Sequence, residues 1–309
     1  MNRMYDALIV GAGPAGLSAA LILGRCRRKV LVCDTGQHRN DQAQALHGFL
    51  TRDGIAPAEL LRLGREELRQ YETVEFRTIE VRDISSFAEG FSVLFQGDSA
   101  VRCRKVLLAT GVVDDLPHLP NIEQYYGRSI FHCPYCDGWE QRDQPTAIYG
   151  QGEAGKGLAL ELTRWSPDLV LCTDGPSDLQ QHDRARLDRH GIQLREERIV
   201  DLEGSEGQLS AVVFANNVKL PVRSLFFSTV EHQRSYLPEK LGCKFNEHGT
   251  VQTGVYESTD VPGLYVAGDA SRRVQLAIVA AAEGAEAAFA MNTALLKEDL
   301  ARAEIVEGR

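Results

Sequence analysis

The chain has 309 residues, of which 43% are hydrophobic and 25% charged, with a formal net charge of −9. Such a chain is long enough for two globular domains, and its interspersed acidic excess excludes a nucleic-acid-binding surface. No apolar run approaches the roughly 18 residues of a membrane span, and residues 1–6 lead straight into apolar Ala7-Leu8-Ile9-Val10, so a cytoplasmic chain without leader or anchor is expected. Cys26, Cys33, Cys103, Cys172 and Cys243 stand alone and are expected to pack in the core of a protein from a reducing compartment.

Residues 5–34 read as a βαβ unit. A short apolar run ends at Gly11-Ala12-Gly13-Pro14-Ala15-Gly16, an apolar helix follows, and a second strand closes on Asp34. The first glycine permits the tight turn, the second lets a pyrophosphate approach the backbone, and the third lets helix pack on strand. Pro14 suits a first helical turn, and Asp34 suits ribose hydroxyls. An amphipathic helix is predicted over 57–71, with Leu60, Leu61, Leu63 and Leu68 facing the core. Residues 74–111 read as antiparallel strands that end in the small-residue turn Ala109-Thr110-Gly111, and residues 114–120 read as a linker.

Next comes His132-Cys133-Pro134-Tyr135-Cys136-Asp137-Gly138. Two cysteines separated by two residues can close a readily exchanged disulfide, and an adjacent carboxylate can move the proton that each exchange step requires. The alternatives are a zinc site, which lacks a second ligand pair, a glutaredoxin-type motif, which belongs to a smaller domain, and a purely structural pair. His132 reads as a surface or packing residue.

The plan then repeats. A strand at 146–149, a loop with Gly150, Gly152 and Gly155, a helix, and a strand ending on Asp174 precede a second meander. The fold class is therefore α/β, with two Rossmann-like (three-layer ββα) dinucleotide-binding domains, each carrying an antiparallel meander. Gly150–Gly157 falls one residue short of a phosphate-binding P-loop, which leaves Lys156 as a solvated helix residue. The chain closes with Ala267-Gly268-Asp269, where backbone N–H groups open toward a phosphate or a flavin edge, and an Ala-rich helix over about 277–296.

The four motifs Gly11–Gly16, Ala109–Gly111, Cys133–Gly138 and Ala267–Asp269, in that order, resemble the low-molecular-weight thioredoxin reductases over essentially the whole chain. The resemblance implies an FAD domain from 1–116 and 236–309, an inserted NAD(P)-binding-like domain at 117–235 carrying the redox disulfide, and a homodimer. It implies that Cys136 lies nearest the flavin, that Cys133 attacks a substrate disulfide, and that Asp137 is the general acid/base. FAD would be held by Gly11, Gly13, Pro14, Ala15, Gly16, Asp34, Ala109, Thr110, Gly111, Gly268, Asp269, Gln275, Leu276 and Ala277. No metal is implied. The partner would be a thioredoxin-like protein or a small-molecule disulfide or dithiol, with neither nucleic acid nor membrane involved.

The chain departs from that pattern in three places. Where NADPH-using members carry a His-Arg-Arg cluster, it reads Thr173-Asp174-Gly175-Pro176-Ser177, with Arg184 and Arg186 on a separate helix. A carboxylate facing a 2′-phosphate costs on the order of several kcal/mol in affinity, which argues against NADPH. NADH is compatible, because Asp174 suits a ribose diol, so Gly150, Gly152, Gly155 and Asp174 form the candidate second nucleotide site. The family's Arg-Gln-Ala is here Gln275-Leu276-Ala277. The stretch 39–54 is closer to the FAD dithiol oxidases, many of which have His in place of Asp137. The expected activity is thus FAD-dependent disulfide exchange with a donor other than NADPH, or, in the reverse direction, dithiol oxidation with O₂ as acceptor. A flavin-bearing sensor with a decayed second site is a third reading.

Overall fold

The computed structural model describes residues 4–307, which divide into two compact units. Of these, the first comprises residues 4–41, 49–113 and 231–307, and the second comprises Gln42–Gly48 and Asp114–Val230. The segment Gln42–Gly48 thus clusters with the second unit, although it lies within the stretch that the motif order gives to the first domain.

In the first unit, Met4–Val10 forms the centre of a sheet, parallel to Val30–Asp34 on one side and to Ala100–Leu108 on the other. Runs rich in Val, Ile and Leu with no polar alternation suit strands covered on both faces, and Ala7, Leu8, Ile9, Val30, Leu31 and Val32 are fully buried. The helix Pro14–Arg25 follows the first strand, and its small residues Ala15, Ala19 and Ala20 face the closing helix Ala277–Glu307. Gly284 permits that close approach, because a Cβ there would lie 1.9 Å from the Ala15 carbonyl oxygen. The C-terminal segment is thereby locked onto the element that carries the first glycine loop.

Three expectations need correction here. Val74–Thr78 is not part of an antiparallel meander: it pairs parallel with Val30–Asp34, because the helix Pro57–Leu68 between them makes a βαβ crossover. The antiparallel ladder starts only at Val81–Phe87, which pairs with Gly90–Phe95 and through it with Ala100–Leu108. The helix predicted to reach residue 71 ends at Leu68, with Leu61 and Leu68 buried and Leu60 and Leu63 only partly so. The closing helix runs to Glu307, well past residue 296.

The second unit has a five-stranded parallel sheet in the order Gln193–Arg195, Leu169–Cys172, Thr146–Tyr149, Ser224–Phe227, Ile130–Phe131. A three-stranded antiparallel sheet, Ile199–Ser205 with Gln208–Phe214 and Lys219–Pro221, covers it through a core of Val212, Phe214, Leu225 and Phe227. The two units therefore repeat one plan, a mixed α/β fold of dinucleotide-binding type. Among the described residues, no helix is long and apolar enough to cross a membrane.

Candidate redox site

Cys133 and Cys136 are joined in a disulfide with 5.2 Å between their Cα atoms. Cys133 leaves the edge strand Ile130–Phe131 in extended conformation and caps the short helix Pro134–Asp137. The Cys133 carbonyl accepts the N–H groups of Cys136 and Asp137, both at 3.1 Å, so the first helical turn itself brings the two sulfurs together. Pro14 and Pro134 each open a helix, where the missing N–H costs nothing. Gly138 ends the turn beside the Trp165 ring, and a Cβ there would lie 2.5 Å from the Pro134 carbonyl oxygen. Tyr135 stands exposed, edge-on to Trp165. His132 packs against Tyr126 and Phe227, its Nδ1 3.0 Å from the Tyr126 hydroxyl.

Asp137 is half-buried next to the disulfide. Burial pushes its carboxyl up to about 7; His47 opposes the rise and Glu140 adds to it. A carboxyl balanced near neutrality can both give and take a proton at working pH. The isolated cysteines contrast with the pair. Burial pushes the thiols of Cys33 and Cys172 up to about 12 and that of Cys243 to about 11, which leaves them without thiolate character. Cys26 is a correction, since it is exposed at the end of its helix and takes no part in a core.

In the first glycine loop, Gly11 (φ +101°) lies against Ala109, where a Cβ would be 2.2 Å from the carbonyl oxygen. A Cβ on Gly16 would be 1.9 Å from the Gly11 oxygen, whereas one on Gly13 meets open space. Gly13 caps the helix Pro14–Arg25 with no side-chain partner, so the N–H groups of the first turn face outward. Asp34 accepts the Ala12 N–H at 3.1 Å and pairs with Arg65 at 2.7 Å. Across the same loop, Thr110 has a buried Oγ1 with no hydrogen-bond partner, and Gly111 (φ +65°) opens to free space. An uncapped helix start, a cradle that a Cβ at Gly13 would fill and an orphaned hydroxyl fit the pyrophosphate and flavin ends of FAD. Gly268 (φ +81°) sits beside Ala15, so Gly268 and Asp269 belong to the same constellation. Gln275 joins it through Arg39, which also binds Asp269 at 2.9 Å, whereas Leu276 and Ala277 lead into the closing helix.

The second glycine loop keeps the packing, but its backbone and side-chain groups are taken up within the unit. A Cβ on Gly155 would be 2.4 Å from the Gly150 backbone, the same close approach as in the first loop. The Gly152 N–H, however, donates to the Ser177 carbonyl at 3.2 Å, and the Gln151 side chain donates to the Thr173 carbonyl. Asp174 (φ +53°) accepts the Ile199 N–H at 2.6 Å. Two neighbouring arginines are committed to carboxylates. Arg184 pairs with Glu196 at 2.6 Å, holding that carboxyl down at about 2, and Arg195 pairs with Glu197 at 2.7 Å. Lys156 is another correction: it is buried and paired with Asp183 and Glu153, because Asp183 closes over it from the helix Gln181–Arg189.

Four residues of consequence were not singled out by motif. Arg39 ties Asp269 to Gln275, Arg65 holds Asp34, and His47 lies against Glu140. Glu283, in the closing helix, accepts the Gly268 N–H at 2.8 Å and pairs with Arg272, which also binds Glu257. Burial pushes Glu283 up to about 7, Glu257 adds to the rise, and Arg272 and the Gly268 N–H oppose it. The one available signal was a lone carboxylate inside Ala280-Ala281-Ala282-Glu283-Gly284-Ala285, a position that packing alone would not choose.

Residues 5–284 match the family described as pyridine nucleotide-disulphide oxidoreductase. Thioredoxin reductase sirT of Leptosphaeria maculans is 32% identical, covering 96% of each chain. A probable thioredoxin reductase of Arthroderma benhamiae is 30% identical over 87% of this chain and 75% of its own. Among solved structures, TrxB from Bacillus anthracis superposes with a TM-score of 0.90 at 34% identity over 96% of this chain and 99% of that one. HlmI gives 0.93 at 34% identity over 99% and 96%.

Proposed function

The chain belongs to the pyridine nucleotide-disulphide oxidoreductase family, as a thioredoxin reductase-like flavoprotein disulfide oxidoreductase, and from that premise we propose that it reduces a substrate disulfide through Cys133–Cys136 with electrons from a donor other than NADPH. FAD would be held by the Gly11–Gly16 loop, Asp34, Ala109–Gly111, Gly268–Asp269 and Gln275–Ala277, and when bound it supplies a two-electron reservoir. In the reduced pair, the Cys133 thiolate attacks one sulfur of the substrate disulfide, forming a mixed disulfide and releasing the first substrate thiol. The Cys136 thiolate then attacks Cys133 Sγ, closing Cys133–Cys136 and releasing the second thiol, so two electrons leave the pair. Asp137 moves the protons that the leaving and attacking sulfurs exchange.

The observation that carries the donor reading is the state of the second loop. Gly152 N–H, Asp174, Arg184 and Arg195 are all engaged within the unit, and Thr173–Ser177 offers no cation to a 2′-phosphate. The Cys136→Ser variant is expected to keep its flavin and to lose disulfide turnover, with substrate trapped on Cys133; undiminished turnover would contradict the assignment. The same engaged loop favours a second reading, in which a small dithiol is oxidised to its disulfide and O₂ takes two electrons and two protons to give H₂O₂. Peroxide formed mole for mole with dithiothreitol, unchanged by NADH or NADPH, would select it. A cytoplasmic homodimer completes the proposal. It is supported by the four buried free thiols and by exposed Phe289, Leu296 and Leu300 along one stripe of the closing helix, and light scattering of the purified chain tests it.

A further inference from the structure

The segment Gln42–Gly48 has a built seat in the second unit. Gly127 (φ +75°) lets the Gln42 backbone approach so closely that a Cβ at 127 would lie 2.4 Å from the Gln42 oxygen, and Leu46 is buried. This strap places His47 beside the disulfide turn, its Nδ1 buried and 3.6 Å from a Glu140 carboxylate oxygen. Glu140 lies three residues after Asp137.

We propose that His47 is a positioning residue of the disulfide site, holding Glu140 and setting the charge around the proton-carrying carboxyl of Asp137. The proposal rests on the disulfide-exchange reading above. Two charged groups bear on Asp137, and they act in opposite senses: His47 from the strap favours the carboxylate, and Glu140 from the turn after the helix favours the acid. Asp137 is tied to the disulfide turn through its N–H to the Cys133 carbonyl at 3.1 Å. A charge of each sign at close range moves a carboxyl by about 1 pH unit or more, so replacing either partner should move Asp137 in a direction fixed by which partner is lost.

The test uses holoprotein labelled with ¹³C at aspartate carboxyls, the Asp137 signal being identified by its loss in Asp137→Asn. Its midpoint is expected to rise by about 1 pH unit in His47→Gln, to fall in Glu140→Gln, and to stay at or below the native value in His47→Lys, which places a cation there. The pH profile of the reaction of Cys133–Cys136 with dithiothreitol is expected to shift in the same order. An unmoved midpoint in His47→Gln, equal movement in His47→Gln and His47→Lys, or a dithiothreitol profile that ignores the carboxyl midpoint would overturn the proposal. Midpoints that move as stated while dithiothreitol leaves the pair oxidised at every pH would sink the exchange reading and leave the placement of His47 standing.

Discussion

The two glycine loops share a backbone solution and differ in what they leave open. Gly16 against Gly11 and Gly155 against Gly150 are the same close helix–strand contact, at which a Cβ would fall 1.9 Å and 2.4 Å from backbone atoms. Beyond that contact the loops diverge. Gly13 faces free space at an uncapped helix start, whereas the Gly152 N–H is already bonded to Ser177. In the first unit the second strand ends in Asp34, which turns back to its own loop through the Ala12 N–H; in the second the strand predicted to end on Asp174 stops at Cys172, and Asp174 turns away to the Ile199 N–H. Glycines that hold a fold together can therefore outlast, or stand apart from, the groups that bind a nucleotide, and the two roles have to be argued separately.

The comparison breaks most sharply at the packing glycines. Gly16→Ala and Gly155→Ala force a Cβ into backbone, and both are expected to give chains that fail to fold cooperatively in circular dichroism melts. If Gly155→Ala folds normally, the second loop is not packed like the first. The next effect in size separates binding from packing. Gly13→Ala meets no protein atom within 4 Å, so it is expected to fold yet to lose at least about tenfold in FAD affinity, or about 1.4 kcal/mol. Gly152→Ala, at φ +53° in open space, is expected to cost about 1 kcal/mol of stability and to leave flavin content unchanged. Equilibrium dialysis of FAD against both variants checks the pair.

The smallest expected effect concerns pH. Asp137 and Glu283, one in each unit, are pushed up to about 7 in the folded chain, so the folded state binds more protons than the unfolded one between about 4 and 7. Their contribution to stability is present below about 4 and is lost as pH rises through 7. Carboxyls held low, such as Glu196 at about 2, act in the opposite sense, but their contribution is complete once the unfolded chain's glutamates have ionised above about 4.5. The thermal midpoint is therefore expected to fall from pH 5 to pH 8, and Glu283→Gln is expected to flatten the slope. A midpoint that rises over that range would contradict both assignments.

The fold class was legible because glycine spacing and unbroken apolar strands report on backbone geometry, which local sequence controls. The first loop and the Cys133–Cys136 turn were legible for the same reason: each is complete within a few residues. What escaped was set by partners far along the chain. Val74–Thr78 alternates like a meander strand, yet the crossover helix before it fixes its direction. Lys156 is polar in a helical pattern, and only Asp183, 27 residues on, buries it. Asp34 and Asp174 look alike in sequence, and only their distant N–H donors distinguish them. Arg39 and His47 lie in the stretch 39–54 that the sequence set apart without giving them a role, and Glu283 carries no motif; each matters through a contact made across the unit.

The most direct test of the central claim is anaerobic mixing of the purified holoprotein with NADPH, NADH and dithiothreitol in turn, following flavin absorbance. Dithiothreitol is expected to bleach the flavin through Cys133–Cys136 and NADPH to leave it oxidised, with NADH the better of the two nucleotides. Rapid bleaching by NADPH would contradict that claim, because the second loop would then have to free its engaged groups and accept a 2′-phosphate without a cation on Thr173–Ser177.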